Sequence, residues 1–265
     1  MARLDLISTD FDGTLVDHES ANPFPPQLGE ALHRFQKAGG RWVINTGRSL
    51  WHAVEGIEIF LGHATPDYVI ANEREIYRWE PSSESWLDVL PWNEVCARDH
   101  QRLFTDFKAH MEKIAQWLQQ NTEAQAIREA GVLHGIIADN EPEMDGIVAY
   151  LASVESHCPD LSHQRNMVYL RFCHRRYSKG TALTHLAELL RVDAAHIMAA
   201  GDHQNDLSML NGQPARRVAC PSNAIPEVKA LVKQADGIVA RARCGSGVLE
   251  ALGQWQPELV NDLLA

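Results

Sequence analysis

Leu4-Asp5-Leu6-Ile7-Ser8-Thr9-Asp10-Phe11-Asp12-Gly13-Thr14 is the stretch from which the chain is read. Leu4 to Thr9 form an apolar run suited to a buried central strand, and the run ends in two aspartates, one residue apart, with Gly13 and Thr14 behind them. Open α/β sheets gather their ligands at the carboxyl ends of strands, so this spacing sets two carboxylates at a sheet edge. Beyond a loop holding Pro23, Pro25 and Pro26, Leu28, Ala31, Leu32 and Phe35 recur at helical spacing over 27–38, and Gly39-Gly40 stops that helix. Trp42-Val43-Ile44-Asn45 reads as a second strand and runs into Thr46-Gly47-Arg48-Ser49. A helical pattern follows to about Leu61, then a third strand at Tyr68-Val69-Ile70-Ala71. Strands alternating with helices predict a parallel sheet covered by helices, and right-handed crossovers place the loops after Thr9, Asn45 and Ala71 on one edge.

The rhythm changes near Asn72. Glu75 to Trp79 suit a hairpin arm, and Pro81-Ser82-Ser83-Glu84-Ser85 punctuates the chain. Leu103, Phe107, Met111, Ile114 and Leu118 form an apolar stripe that predicts a helix over about 98–119. Strands are expected at 135–138 and 167–172, with a helix over about 144–158 between them. These elements predict an inserted α+β domain at 81–177. The alternating rhythm resumes at 178: helix 180–190, strand 197–200, a short helix from Asp206, strand 217–220, helix 225–234, an edge strand at 238–240 and a closing helix 247–252. The core is therefore expected at 1–80 and 178–265.

The strand at Ile197-Met198-Ala199-Ala200 ends in Gly201-Asp202-His203-Gln204-Asn205-Asp206, and Lys179 opens the helix after the insert. Four acids and one lysine at strand ends predict a phosphate-and-magnesium site. Asp10 would attack phosphorus and carry the phosphoryl group, a known covalent solution to its transfer. Asp12 would protonate the leaving alkoxide and later deprotonate water. Gly13 permits the sharp turn, and Thr14 holds phosphate or orients Asp12. Thr46 offers a hydroxyl and an N–H to a phosphate oxygen, Gly47 allows close approach, and Arg48 pairs with nearby acids or shapes the mouth. Lys179 neutralises the nucleophile and the transferring group. Asp202 and Asp206 supply hard oxygen ligands for Mg²⁺, and Asn205 bonds the lysine or the phosphate. Taken singly, each element has a plainer reading: an Asx turn, a solvated lysine at a helix start, a cluster of helix caps.

The formal charge of −11 is spread through the 265 residues, which argues against a nucleic-acid partner. A small anionic substrate is compatible with it, because a bound divalent cation reverses the local sign. Five cysteines without close-pair spacing suggest neither a disulfide scaffold nor structural zinc. The N-terminus turns acidic before a leader's apolar region could form, and no run of apolar residues is long enough to span a bilayer. The expectation is a reduced, cytoplasmic protein without a membrane partner, a monomer or a homodimer.

Together these elements resemble the signature of the haloacid dehalogenase superfamily of aspartyl phosphatases. Their order and the insertion after the third strand are similar to the Cof-type sugar phosphatases with a class IIB cap. The resemblance implies a Rossmann-like parallel-sheet core with an α+β cap, Mg²⁺ as cofactor, and a small phosphorylated metabolite, such as a sugar phosphate, as substrate. It matches Asp10 to the nucleophile and Asp12 to the general acid/base, whose backbone carbonyl also meets the metal. Thr46 and Lys179 match the phosphate-binding pair, Asp202 and Asp206 the acidic motif around magnesium, and Asn205 the asparagine beside them. Leaving-group contacts are implied to come from the cap, where His134, Arg165 and Asn166 are the candidates. Two departures stand out: Asn72-Glu73-Arg74 where the family often has Asn-Gly-Ala, and His203 where a small residue is common. A phosphomutase, or a metal-binding regulator without turnover, would carry many of the same residues.

Overall fold

The computed structural model describes residues 3–154 and 158–263. It separates into two compact units, one comprising the chain up to Asn93 and from Lys179 onward, the other Glu94–Ser178. The first unit opens with β1 (Leu6–Thr9), α1 (Pro26–Lys37), β2 (Arg41–Asn45), α2 (Leu50–Phe60) and β3 (Tyr68–Ala71). β4 (Glu75–Glu80) and β5 (Ser85–Asp88) follow as an antiparallel hairpin added to β3. The sheet thus extends past Pro81, where the insert was expected to start.

In the second unit α3 (Trp92–Asp106, from Glu94 on), α4 (Lys108–Asn121) and α5 (Glu141–Val154) accompany an antiparallel sheet. Its strands are β6 (Gln125–Glu129), β7 (Val132–Ile137), β8 (Leu161–Asn166) and β9 (Tyr169–His174), in the order β6-β7-β9-β8. Met111, Ile114 and Leu118 of α4 share a core with Met144 and Ile147 of α5 and with Ile136, Leu170 and Phe172 of the sheet. The single helix expected over 98–119 is two, because the backbone leaves helical geometry at Phe107 (φ −101°, ψ 13°). The strand expected at 167–172 is the second arm of a β8–β9 hairpin whose turn holds Met167 at φ 52°. The helix expected to reach Cys158 is described to Val154, and 155–157 lie outside the described residues.

The first unit resumes with α6 (Lys179–Leu190), β10 (Ile197–Ala200), α7 (Leu207–Leu210), β11 (Arg217–Cys220), α8 (Pro226–Gln234), β12 (Ile238–Val239) and α9 (Cys244–Trp255). Its eight strands lie in the order β12-β11-β10-β1-β2-β3-β4-β5, every pairing parallel except β3–β4 and β4–β5. Side chains alternate across a strand, and here both faces are covered. Ile7, Ile44 and Val69 pack with Leu28 and Leu32 of α1 and Val248 and Leu252 of α9. Leu6, Val43 and Ile70 face Leu183 and Leu186 of α6 and Val228 and Val232 of α8. This is an α/β core with an inserted α+β unit. Among the described residues no helix is long and apolar enough to cross a membrane.

The β3–β4 connection is unusual. Asn72 (φ 50°) and Glu73 (φ 64°) are both left-handed, and the Arg74 N–H bonds the Ala71 carbonyl at 3.0 Å. Two positive φ values at the centre of a hairpin turn are the mark of type I′, which favours Asn-Gly. Asn tolerates this region; a Glu there costs roughly 1–2 kcal/mol.

Candidate active site

β1, β2, β3 and β10 end on one edge of the sheet, and their loops build the site. Asp10 follows β1, with its N–H on the Ala200 carbonyl of β10 at 2.9 Å. Lys179, the first residue of α6, is wholly buried; its Nζ donates to Asp10 Oδ1 and to Asp206 Oδ1, both at 2.6 Å. Its carbonyl in turn accepts from Asn45 Nδ2 at the end of β2, at 3.0 Å. One oxygen each from Asp10, Asp202 and Asp206 lies within 4.8 Å of the others. Three hard-oxygen donors at that spacing suit a divalent cation such as magnesium.

The three acids are not equivalent. Asp206 Oδ2 accepts the N–H groups of Asp202 (2.8 Å) and His203 (2.9 Å), and its Oδ1 takes the lysine, so both oxygens tie the loop together. Asp202 receives the Thr14 hydroxyl on Oδ1 at 2.8 Å. Thr14 therefore orients Asp202, where phosphate or Asp12 was expected to be its partner. Burial, with Asp206 beside it, pushes the Asp202 carboxyl up to about 7. Burial raises Asp10 further than Lys179 can lower it, and the neighbouring carboxylates add to the rise. Burial works against charge on Lys179, but Asp10, Asp206 and Glu73 outweigh it and hold the ammonium above its ordinary range.

Asp12 sits apart from this trio. Its carboxylate takes a two-pronged grip from Arg48, Nε to Oδ2 at 2.8 Å and Nη2 to Oδ1 at 2.6 Å, and contacts His18 Nε2 at 2.7 Å. Burial alone would raise its pKa, yet the hydrogen bonds from Arg48 and His18 bring it below the usual carboxylate range. The Arg48 guanidinium lies 4.8 Å over the Phe11 ring, which fixes the fork from behind. Thr46 is buried and its hydroxyl accepts the Arg48 N–H at 3.1 Å. Gly47 closes against Glu73 Oε1, which would lie 3.1 Å from a Cβ placed there. Asn205 was expected to bond lysine or phosphate; its Nδ2 instead donates to Glu73 Oε1 at 2.9 Å.

In the second unit His134 stacks on Phe104 at 3.7 Å. Arg165 is held by Asp145 at 2.5 Å and by the Met167 carbonyl at 2.9 Å. Asn166 is exposed at the end of β8.

Sequence reasoning passed over His18 and Asn45 and gave Asn223 no role of its own. Asn223 Nδ2 bonds the Gly13 carbonyl at 2.8 Å and its Oδ1 takes the Cys244 N–H at 2.9 Å, which steadies the turn after Asp12. Nothing in the local pattern marks His18; Asn45 could have been found as the one polar residue closing an apolar strand. Gly13 is also constrained in a way that sequence does not contain. Its φ is +73°, and a Cβ would lie 2.4 Å from Asp202 Oδ2. Gly13→Ala is expected to lose about 1–2 kcal/mol from backbone geometry alone and to weaken cation binding by displacing Asp202. Urea unfolding with and without magnesium reads both effects; a variant matching wild type in each would contradict this packing.

The sequence profile of the sucrose-6F-phosphate phosphohydrolase family matches residues 3–256. A provisionally named phosphatase of Streptococcus pyogenes is 23% identical over 272 residues, 94% of this chain and 97% of the relative. A phosphoglycolate phosphatase of Methanobrevibacter smithii is 24% identical, covering 94% of this chain and 97% of its own. Among solved structures, the sucrose-phosphatase of Synechocystis sp. PCC6803, in complex with sucrose and phosphate, superposes with a TM-score of 0.69 at 20% identity, covering 96% of this chain and 98% of that one. The subclass IIB sugar phosphatase BT4131 of the haloacid dehalogenase superfamily gives 0.63 at 18% identity, covering 95% and 98%. These likenesses show the haloacid dehalogenase fold with its inserted cap. With nearly its whole length matched by one family profile, this chain belongs to the sucrose-6F-phosphate phosphohydrolase family.

Proposed function

We propose that this protein is a magnesium-dependent phosphomonoester hydrolase that acts through an aspartyl-phosphate on sugar phosphates or related small metabolites. The observation that carries this reading is Asp10, held by a fully buried lysine inside a trio of carboxylates at the strand ends. An Asp10 oxygen attacks phosphorus while the bond to the leaving oxygen breaks and Asp12 gives that oxygen a proton. Asp12, then a carboxylate, takes a proton from water as the water oxygen attacks phosphorus; phosphate leaves and Asp10 is restored. Arg48 and His18 keep Asp12 charged at rest, and an arriving dianion raises its pKa by like charge, as the acid step requires. Lys179 balances charge on the nucleophile and on the transferring group throughout. Magnesium, when bound, neutralises phosphoryl oxygens. Asp10 and Asp202 would hold it, Asp206 would brace them, and Asp12 would take part through its backbone carbonyl, since its carboxylate is committed to Arg48 and His18.

The sugar class is supported by the family's name and by the names of two structural relatives, and Cof-type kinship belongs to the same proposal. Asn166, exposed at its strand end, is the freest of the three cap candidates for a leaving-group contact. His134 and Arg165 already have local partners.

Phosphate release from a panel of sugar phosphates, with sucrose phosphate and phosphoglycolate included, tests the reading. An isomeric phosphate ester as the product would point to a mutase. Activity should vanish with a chelator and return with magnesium, while calcium should inhibit through its larger, looser shell. Protons and the cation compete for the same carboxylates. Because Asp202 titrates at about 7, the magnesium concentration for half-activity should climb as pH falls below about 7. A requirement independent of pH between 5.5 and 8 would remove Asp202 from the ligand set.

A further inference from the structure

Glu73 is a strained residue with its charge turned inward. It occupies the position of a type I′ turn that glycine fills most easily. Its side chain is nevertheless buried, 8% exposed. The turn is tied to the Thr46–Arg48 loop by the Glu73 N–H on the Thr46 carbonyl at 2.9 Å and the Asn72 N–H on the Arg48 carbonyl at 2.7 Å. Oε1 thereby reaches Asn205 Nδ2 at 2.9 Å and closes on Gly47. Strain of this kind persists where the surrounding structure over-determines it, and such positions cluster at functional sites.

The partner of Glu73 carries a second sign. Asn205 is 4% exposed, and its Oδ1 is buried with no hydrogen-bond partner among the described residues. Its amide is thus turned toward Glu73 at the expense of its own acceptor. Around this pair the site gathers Asp10, Asp202, Asp206 and Glu73, with the buried Lys179 ion-paired to Asp10 and Asp206. With the four acids ionised, a divalent cation leaves that set still negative, and Glu73 is what tips it so.

We propose that Glu73 lowers the affinity of the phosphoryl seat: its carboxylate, fixed by the Asn205 amide beside Gly47, sets a negative charge against a phosphate group placed there. The inference rests on the phosphohydrolase reading and deepens it. Inorganic phosphate is then held weakly, product inhibition is slight, and the organic part of the substrate has to supply most of the binding. Small phosphoesters bind poorly for the same reason.

The test compares wild type with Glu73→Gln, which keeps the shape and the hydrogen bond from Asn205, and with Glu73→Gly, which also relieves the left-handed strain. Inorganic phosphate should inhibit Glu73→Gln at a concentration at least about tenfold lower, since a unit charge has gone from beside the anion. KM for p-nitrophenyl phosphate should fall by a similar factor, while kcat changes little. Glu73→Gly should show the same tightening and a higher unfolding midpoint. Phosphate affinity unchanged or weaker in Glu73→Gln would overturn the proposal. A collapse of kcat in both variants, restored by Glu73→Asp, would overturn it in favour of a positioning role. If wild type hydrolyses no phosphoester, the functional reading fails on its own. Calorimetry with inorganic phosphate and magnesium on the same three proteins then still decides whether Glu73 repels the anion.

Discussion

Asp10→Asn should lower kcat by more than about a thousandfold, the scale of loss when a covalent nucleophile is removed. Stability should scarcely move, because two effects oppose each other. The variant takes one buried carboxylate out of a like-charged trio, which relieves the burial that raises its pKa. It also deprives Lys179 of one partner at 2.6 Å, but leaves Asp206 at the same distance. Steady-state phosphate release and urea unfolding should therefore separate, activity gone and midpoint kept. Quenched single turnover of wild type should place the phosphoryl label on Asp10. Hydrolysis near the wild-type rate would sink the assignment.

Lys179→Met should fail in both respects. Breaking a buried ion pair from one side costs about 3–5 kcal/mol, because the abandoned charges stay buried. Here two carboxylates are abandoned at once, and the loop held by Asp206 loses its anchor. The loss should depend on pH in a definite sense. Acids whose folded pKa is raised bind protons more readily in the folded state, so their burial is tolerated at low pH and becomes costly as pH rises. Asp202 titrates at about 7 and Asp10 is raised by the same burial. The variant should accordingly be far closer to wild type at pH 5.5 than at pH 8, and catalysis should fall by at least about a hundredfold. Equal destabilisation at the two pH values would mean that the lysine acts by packing, not by charge.

Much of the first unit could be read in the sequence because its central strands are buried on both faces and appear as short apolar runs. The residues at their carboxyl ends then fall together through topology alone. The second unit is less legible. β6 is exposed along its whole length, and most of β8, Leu161-Ser162-His163-Gln164-Arg165-Asn166, is polar, so neither carries an alternating signal. The α3–α4 break hides because Leu103, Phe107 and Met111 keep an unbroken apolar stripe across it. Within the site, residue types named the chemistry, but partners depended on backbone angles. Glu73 points inward because of a left-handed turn, and Thr14 reaches Asp202 because the loops after β1 and β10, far apart in sequence but paired in the sheet, meet. No local pattern encodes either.

The pairing of β1 with β10 has a consequence for how the protein is made. β1 is flanked by β2 on one side and β10 on the other. When the ribosome has delivered the chain to Asn93, one flank of this apolar strand still lacks its neighbour. The missing strand arrives only after the entire intervening unit, a delay on the order of ten seconds at ordinary synthesis rates. An open, apolar strand edge invites pairing with another chain. The intervening unit has its own core and can fold while the first waits. Nascent chains stalled between Asn93 and Ile197 are therefore the species most exposed to aggregation and most in need of a chaperone. The carboxylates of Asp10, Asp202 and Asp206 come together only once that wait has ended.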